Sequence, residues 1–484
     1  MTEPPSNSFK IAAADHQAGH LEAAAAGYAR ILQFNPEHLE AITNLAVLLR
    51  DRGQITDAIP LFERALALRP GMTEARYVLA LCFMQVGEKE QARLHFTAAA
   101  KASPSDSRPI VGLAALALNE GDADIALGHT DAALARNLDD ADAWNLKGAA
   151  CKELARFAEA RNAYDKALDR QPDHAEARYN RGALKLLLGD MPKGWDDYAC
   201  RWQGDDRQSP GADLGVPLWD GGPLAGGQLL VVAEQGFGDT LQCLRYLPLL
   251  RERGMEVAIC CRPELRRLVA AIPEVARVWC PGEPGPNGDA YLPMMELPRI
   301  FQTSETNIPA ADGYLRAGPV DRPVDGPVDG ISVPDQRNIG LVWAGSPTHE
   351  NDARRSVPLG ALRALLDAPN CRFFSLQVGA RSADLDAQNM AQDIEDLAPE
   401  IKDFADTAAF ISAMDLIISV DTAAVHLAGA LGTPTWVMLS FVPDWRWQLT
   451  RTDSPWYGCL RLFRQSEPGN WRGVINDIRR ALPH

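Results

Sequence analysis

The sequence lacks long uncharged apolar runs and a secretory leader. No uncharged apolar stretch reaches 18 residues, so we expect no transmembrane helix. The N-terminus, MTEPPSNSFK, has no basic segment followed by an apolar core, so we expect no signal peptide. These absences predict a cytoplasmic protein.

Basic charge and paired cysteines are also scarce. The net charge is −16 and the isoelectric point is about 5.1, and no compact basic patch is visible, which argues against nucleic-acid binding. The nine cysteines are scattered and include no CxxC pair. We therefore expect buried free thiols in a reducing compartment, and no metal site.

What is present is typical of a soluble multidomain protein. The 484 residues are enough for about three domains. Apolar residues make up 46% and charged residues 23%, which are ordinary values for globular chains.

A 34-residue period runs through the first 202 residues. It contains small residues where helices cross, an aromatic residue four positions later, and a proline after each second helix. The period includes Pro36, Pro70, Pro104 and Pro172; Gly19, Gly53, Gly87, Gly121, Ala155 and Gly189; Ala24, Ala58, Ala92, Ala126 and Ala160; and Tyr28, Phe62, Phe96, Thr130, Tyr164 and Tyr198. This pattern resembles the tetratricopeptide repeat (TPR) and predicts five repeats up to residue 173 and a degenerate sixth.

Stacked TPR pairs form a solenoid whose groove usually binds a peptide or protein. Asn44 and Asn180 fall at positions that often face such a groove, although solvated helix surface is the favoured interpretation. Trp195, Tyr198 and Trp202 form an aromatic stripe, which we interpret as packing that joins the repeats to the next domain.

The remainder of the chain is organised around residues 415–439, DLIISVDTAAVHLAGALGTPTWVML. A buried strand at 416–420 is followed by Asp421 and Thr422, a short helix at 423–431, and a second strand at 435–439. Asp421 is the expected N-cap. The free amides at such a helix start attract phosphate, although an ordinary capped α/β crossover explains the pattern equally well.

A second strand–turn–helix–strand unit starts at Gln228. Its turn contains Gly236, Gly238 and Asp239, and a helix is predicted over 240–253 before a strand at 255–261. The two glycines are interpreted as bringing the backbone close to a ligand across a cleft. Asp239 is a candidate general base or a helix N-cap, or both, and Glu234 is the rival base.

The next strand, 338–343, leads into AGSPTHENDARRSVPL. This small loop, which contains Gly345, is suited to a pyrophosphate, and Ser346 and His349 are weaker candidates. Arg354 and Arg355 are placed to neutralise a leaving nucleotide, with a solvated basic pair as the alternative.

Two strings in the second half of the chain resemble motifs of a known family. ISVDTAAVHLAGALGTPTW resembles the donor-site motif of glycosyltransferase family 9, the heptosyltransferase-like enzymes, and PDWRWQLTRTDSPWYGCLRLFRQ resembles a subgroup in which that domain follows TPR repeats. The resemblance implies a GT-B fold, a nucleotide-sugar donor, inversion at the sugar, and Asp239 as the base. It implies that donor-binding residues are Asp421, Thr422, Ala423, Ala424, His426 and, near the nucleotide base, Gln377.

Two pairs of residues in the tail are also considered. Arg464 and Gln465 are candidates for the cleft, and Trp456 and Tyr457 are interpreted as core rather than as a stacking platform. No DxD-type acidic pair is found at the end of a predicted strand, so metal independence and no resident cofactor are expected.

The predicted fold class is α plus α/β: a TPR solenoid followed by two Rossmann-like domains in a GT-B arrangement. The predicted boundaries are 1–202 for the solenoid, 203–227 and 318–337 for linkers, 228–317 for the acceptor half and 338–484 for the donor half. The second linker contains the low-complexity string VDRPVDGPVDG, 320–330.

The repeats favour a protein acceptor, for example flagellin-type glycosylation on Ser or Thr. Two alternatives stay open: a catalytically inactive TPR scaffold, and a transferase acting on lipopolysaccharide or another saccharide, with the repeats serving assembly.

Overall fold

The computed structural model describes residues 7–203, 208–224, 226–310, 313–318, 335–349 and 351–482. The chain folds as two compact units, Met1–Ala177 and Arg178–His484. No helix within the described ranges combines the length and apolar character needed to cross a membrane.

The first unit is built from successive helix pairs, in which each helix packs against the next in the chain. Its helices are α1 (Ser8–Gln17), α2 (Leu21–Phe34), α3 (Leu39–Asp51), α4 (Ile55–Leu68), α5 (Thr73–Gln85), α6 (Lys89–Ala102), α7 (Arg108–Glu120), α8 (Ala123–Leu134), α9 (Ala141–Glu153) and α10 (Phe157–Arg170). The predicted α-solenoid is confirmed.

The 34-residue period marks the contacts that hold each pair together. Within this unit, the alanines of the period from Ala24 to Ala160 and the residues four positions after them are at most 1% exposed. The glycines of the period in this unit lie in exposed turns. The turn between paired helices takes a positive φ at Gly19, Gly53, Gly87, Gly121 and even Ala155. At Gly112 an added Cβ would lie 2.5 Å from the Phe96 ring, so the aromatic residue needs a glycine opposite it.

Asn44 has a partner inside the solenoid. Its Nδ2 donates to the Tyr28 hydroxyl at 3.1 Å. This bond ties neighbouring repeats together, which supports a structural interpretation of Asn44 over a groove contact.

The last helix pair leads into the second unit. Helix α11 (Ala175–Leu187) spans the boundary, and α12 (Met191–Tyr198) follows. Trp195 is 2% exposed, donates from Nε1 to the Thr303 carbonyl at 2.9 Å, and meets the Trp445 ring edge-on at 5.1 Å. The prediction that the aromatic stripe is packing is confirmed for this residue.

The first sheet of the second unit is parallel, with strand order β3-β2-β1-β4. Its strands are β1 (Gln228–Val232), β2 (Glu256–Cys260), β3 (Val275–Trp279) and β4 (Ala290–Pro293). Its helices are α13 (Phe237–Cys243), α14 (Leu247–Glu252), α15 (Pro263–Ala270) and α16 (Leu297–Ile300).

The second sheet is also parallel, with strand order β10-β9-β8-β5-β6-β7. The order reverses beside β5, and ligands of such sheets bind at the carboxyl ends of strands at this reversal. Its strands are β5 (Arg337–Val342), β6 (Cys371–Ser375), β7 (Ile394–Asp396), β8 (Leu416–Val420), β9 (Thr435–Leu439) and β10 (Leu460–Arg464). Its helices are α17 (Asp352–Arg355), α18 (Asp384–Ala387), α19 (Phe404–Ser412), α20 (Ala423–Leu431) and α21 (Trp471–Ala481).

These sheets confirm the predicted α plus α/β class, with one local error. The helix predicted over 240–253 starts earlier, at Phe237, and is divided into α13 and α14 by a 3-10 turn, Leu244–Tyr246. Pro248, near the start of α14, has no N–H to continue the helical bonds.

The two predicted linkers differ in how much of them the structure describes. In the first, Leu218 forms a parallel bridge with Tyr291 of β4, and Trp219 is buried. The string at 320–330 lies outside the described residues. The bounds of the five predicted segments stay predictions. All nine cysteines are free thiols, seven of them buried, as predicted.

Candidate functional site

The central motif folds as a strand, a two-residue turn and a helix. The bounds of β8, α20 and β9 are those predicted, and Gly432 ends α20 with φ 78°. The prediction for the N-cap is wrong by one residue: Thr422 is the cap, with φ −144° and ψ 174°, and Asp421 precedes it. In the described part of the chain, the Thr422 side chain makes no capping hydrogen bond to the first amides of the helix, those of Ala423 and Ala424.

Asp421 directly follows β8 and is half-buried near Asp444. Burial raises the pKa of its carboxyl to about 6, and the negative charge of Asp444 adds to the rise. The positive charges of Arg446 and Arg355 act in the opposite direction. These four groups therefore form one electrostatic cluster at the start of α20.

The raised pKa of Asp421 makes stability depend on pH. The folded state binds this proton more tightly than the unfolded chain, so the contribution is complete below about pH 4 and is lost as pH rises through about 6. We expect Asp421→Asn, without ligand, to raise the free energy of unfolding at pH 8 by about 3 kcal/mol.

Urea unfolding at pH 4 and pH 8 measures this effect. The control is Asp386→Asn, which changes an exposed carboxyl on α18 and should change stability equally at both values. A pH-independent loss of stability in Asp421→Asn would contradict the assignment.

His426 lies between the two sheets. Its Nδ1 is 2.9 Å from the Tyr457 hydroxyl, and its ring stacks on Trp447 at 5.5 Å. Burial, followed by the nearby Arg446 and Arg245 charges, lowers its pKa well below the ordinary value, so the ring is neutral. Its predicted contact with the donor stays a prediction.

Gly238 makes the close approach of α13 to α20 possible. A Cβ at this position would lie 2.6 Å from His426 Cδ2. The prediction that Gly238 brings the backbone near a ligand stays a prediction; the structure places it against a side chain of the other sheet.

Asp239 follows β1 in the first turn of α13. It is the third residue of the helix rather than the predicted N-cap; Gly236 is the cap, and its N–H donates to Asp239 Oδ2 at 2.7 Å. Oδ1 accepts from Arg446 Nη2. The carboxylate therefore has a fixed orientation.

Glu234, the rival base, has no exposed side-chain surface. It accepts from Arg201 at 2.7 Å, from Trp202 Nε1 at 2.8 Å and from the Met295 amide at 2.8 Å. Because the Glu234 side chain is fully buried and paired with Arg201, whereas 16% of the Asp239 side chain is exposed, the structure favours a structural role for Glu234.

Arg355 lies over the loop that follows β5. An added Cβ at Gly345 would be 2.5 Å from Arg355 Nη2, so the glycine makes room for the guanidinium. Its buried Nε has no hydrogen-bond partner among the described residues, and Asp352 is 3.8 Å away. Arg354 is half-buried on α17, and Ser346 is exposed and bonded to the Thr348 hydroxyl at 2.9 Å.

Gln377 braces the same loop from β6. Its Oε1 accepts from the amides of Trp343 at 3.1 Å and Ala344 at 2.9 Å, and its Nε2 donates to the Val378 carbonyl. These bonds hold the loop that carries Gly345. Its predicted position near a nucleotide base stays a prediction.

Arg446 is the residue that sequence reasoning missed. It lies in the 3-10 turn Trp445–Trp447, is 8% exposed, and donates to Asp444 at 2.8 Å as well as to Gln242 and Asp239. Burial alone would lower its pKa, but Asp444 and Asp239 raise it above the ordinary value. The WRW string was noted, but nothing local marks the arginine as the partner of Asp239.

Arg464 supports this turn from behind, contrary to the prediction that it faces a cleft. It donates to the backbone carbonyls of Trp447, Gln448 and Arg451, and burial lowers its pKa to about 10. Gln465 accepts from the Phe441 and Gly469 amides, each at 3.1 Å.

The prediction that Trp456 and Tyr457 are core residues is confirmed, since both are 0% exposed. Across the described part of the chain, no three His, Cys, Asp or Glu side chains are grouped so as to hold a metal ion.

Two family models match the chain. The tetratricopeptide repeat model matches residues 9–70, 43–107 and 152–210. The glycosyltransferase family 9 (heptosyltransferase) model matches residues 376–438, which contain Gln377, Asp421 and His426 but neither Asp239 nor Arg446. The chain thus carries TPR repeats and a family 9 glycosyltransferase region.

Relatives differ in how much of the chain they cover. Protein FlbA of Caulobacter vibrioides is 23% identical, over 95% of this chain and 75% of FlbA. The peroxisomal targeting signal receptor of Candida albicans is 30% identical over 33% of this chain and 28% of the receptor. The chain thus spans most of FlbA and little of the receptor.

Solved structures resemble parts of the chain. MamA is 21% identical with a TM-score of 0.33, covering 36% of this chain and 96% of MamA. YrrB, described as a TPR protein with an unusual peptide-binding site, is 20% identical with a TM-score of 0.30, over 37% of this chain and 94% of YrrB.

Proposed function

We propose that this chain, which joins tetratricopeptide repeats to a family 9 glycosyltransferase region, transfers a sugar from a nucleotide-sugar donor to an acceptor hydroxyl. The observation that carries the proposal is that Arg446 links the residues after β1 of the first sheet to those after β8 of the second sheet. Asp239 follows β1 of one sheet, Asp421 follows β8 of the other, and the Arg446 charge acts on both. A GT-B enzyme places its acceptor and donor halves in this way.

On the donor side, the diphosphate would lie at the start of α20. The uncapped amides of Ala423 and Ala424 supply N–H donors, and the helix dipole favours negative charge there. Arg355, with its unpartnered Nε aimed over Gly345, supplies a fixed positive charge, and Arg354 adds to the field. With this charge compensation, the leaving nucleotide needs no metal ion in our proposal.

On the acceptor side, Asp239 would act as general base. The acceptor oxygen forms a bond to the anomeric carbon while the bond from that carbon to the diphosphate breaks. The electron pair leaves with the nucleotide, and the acceptor proton moves to the Asp239 carboxylate. One in-line displacement inverts the anomeric centre.

A protein acceptor is the substrate class that the repeats favour. The Tyr198 hydroxyl, at the end of α12, bonds to the Gln235 side chain at 3.1 Å. Gln235 directly precedes the turn that carries Asp239 and has φ 59°, a strained value for a residue with a side chain. Helix α12, within the second unit, is therefore bonded to the proposed catalytic turn, and we propose a Ser or Thr side chain as the acceptor.

A thermal-shift panel tests the donor site. Purified protein is heated in EDTA with ADP-, UDP-, GDP- or CMP-linked sugars, because a ligand stabilises the native state by about 2.7 kcal/mol at 100 times its dissociation constant. We expect one nucleotide class to raise the melting temperature of the native chain, and not of Asp421→Ala or Arg355→Ala.

The matched control is Arg337→Ala, which removes an exposed arginine at the opposite end of β5. It should keep the full shift. If no donor shifts the native chain at millimolar concentration, the transferase proposal fails and the inactive scaffold becomes the better interpretation. A protein acceptor is distinguished from a saccharide by which of them receives labelled sugar.

A further inference from the structure

The side chain of Arg446 connects the two sheets through its guanidinium. Nη1 donates to Asp444 of its own turn at 2.8 Å, Nε donates to Gln242 Oε1, and Nη2 donates to Asp239 Oδ1. The last two acceptors lie on α13 of the other sheet. All three guanidinium nitrogens are therefore bound, and Arg446 has one defined position.

In this position Arg446 holds Oδ1 of Asp239, the carboxylate oxygen that the turn of α13 does not bind. Oδ2 is already held by the Gly236 amide within its own turn. Among the described residues, Oδ1 is held across the interface by the Arg446 guanidinium, and the next residue, Trp447, stacks on His426 of α20. The orientation of the carboxylate is therefore determined by the half of the molecule that contains the proposed donor site.

We propose that Arg446 is the positioning residue for Asp239: it aligns the carboxylate toward the acceptor hydroxyl only when the two sheets are correctly placed around the donor. This assignment rests on the proposed function. Arg446 acts through Asp239 and need not touch the acceptor.

The competing explanation is that Arg446 merely holds the sheets together. Arg245 provides the comparison, because it too is buried and crosses the same interface. It donates to the Trp456 carbonyl at 2.8 Å and to the Gln242 carbonyl at 2.9 Å. Its bonds do not include Asp239, so a purely structural role predicts the same behaviour for both arginines.

The test compares Arg446→Ala with Arg245→Ala in the full chain. For each variant, kcat for sugar transfer, KM for the donor and the melting temperature are measured with and without millimolar guanidinium ion. We expect Arg446→Ala to lose about 100-fold in kcat with a donor KM within about 3-fold of native, because misplacing a reacting group costs about this much. Added guanidinium should restore part of this kcat, and Arg245→Ala should gain nothing from it.

A double-mutant cycle with Asp239→Asn gives a second measurement. If Arg446 acts through Asp239, Arg446→Ala should lower the residual activity of Asp239→Asn by less than about 3-fold. If Arg446→Ala lowers kcat by the same factor in the native chain and in Asp239→Asn, the assignment is overturned. If Arg446→Ala fails to fold, Gln242→Met replaces it, since this change removes one acceptor of Arg446 without touching Asp239.

The outcomes separate the inference from the proposed function. If the native chain binds a donor but transfers no sugar to any acceptor, the proposed function and this assignment both fall. If the native chain is active and Arg446→Ala is impaired no more than Arg245→Ala, with no rescue, the assignment alone falls.

Discussion

Asp239→Asn is expected to lower kcat for sugar transfer by about 10²- to 10⁴-fold while leaving donor binding intact. The amide cannot accept the acceptor proton, and general-base catalysis contributes a factor of this size. The donor site is built on the other sheet, from α20 and the loop after β5, so the thermal shift by the donor should persist. The experiment measures initial transfer rates and the donor-dependent melting temperature of the same preparation.

Breaking an ion pair across the interface also costs stability, so a matched control is needed. Asp406 of α19 is paired with Arg267 of α15 and also joins the two sheets. Asp406→Asn therefore loses a comparable ion pair without altering the proposed base, and it should transfer sugar at near-native rates. Equal losses of kcat in the two variants would exclude a catalytic role for Asp239.

The solenoid was predictable because its contacts are local. Each TPR helix packs against helices adjacent in the chain, so every contact recurs in the sequence at one period. The glycine register even identifies Ala155, where the φ of 56° is kept without glycine. A single sequence shows this pattern directly, because the same helix–helix contacts recur in several repeats.

The strand–turn–helix of residues 416–439 was predictable for a related reason. A continuous apolar strand, a glycine with positive φ and a proline are local signals, and they define β8, α20 and β9. The caps were predicted one residue early at Asp421 and three residues late at Asp239. The position of a cap depends on the dihedral angles of the turn, which residue type alone does not determine.

The centre of the candidate site was not predictable. Arg446 and Asp239 are 207 residues apart, and neither carries a local signal for the other. Glu234 shows the same limitation from the other direction. Its position near the end of β1 suggested that Glu234 could act as a base. The structure shows that its carboxylate is paired with Arg201, 33 residues earlier in the chain, which the sequence does not indicate.

Trp195→Ala is expected to lower the free energy of unfolding of the second unit by about 3–5 kcal/mol, the usual cost of removing a large buried aromatic side chain. The indole is 2% exposed and packs edge-on against Trp445, Trp456 and Tyr198. The change also leaves the Thr303 carbonyl without its donor. Urea unfolding followed by tryptophan fluorescence and by circular dichroism measures the loss.

Trp195→Phe separates ring packing from the hydrogen bond. It keeps an aromatic ring but loses Nε1, so we expect a loss of about 1–2 kcal/mol, the cost of an unsatisfied buried carbonyl. Trp195 contacts the turn containing Arg446 through Trp445, so a cavity here also loosens the support of that turn. Sugar transfer should therefore fall further in Trp195→Ala than in Trp195→Phe. Native stability in Trp195→Ala would instead mean that α12 is not part of the fold that carries the site.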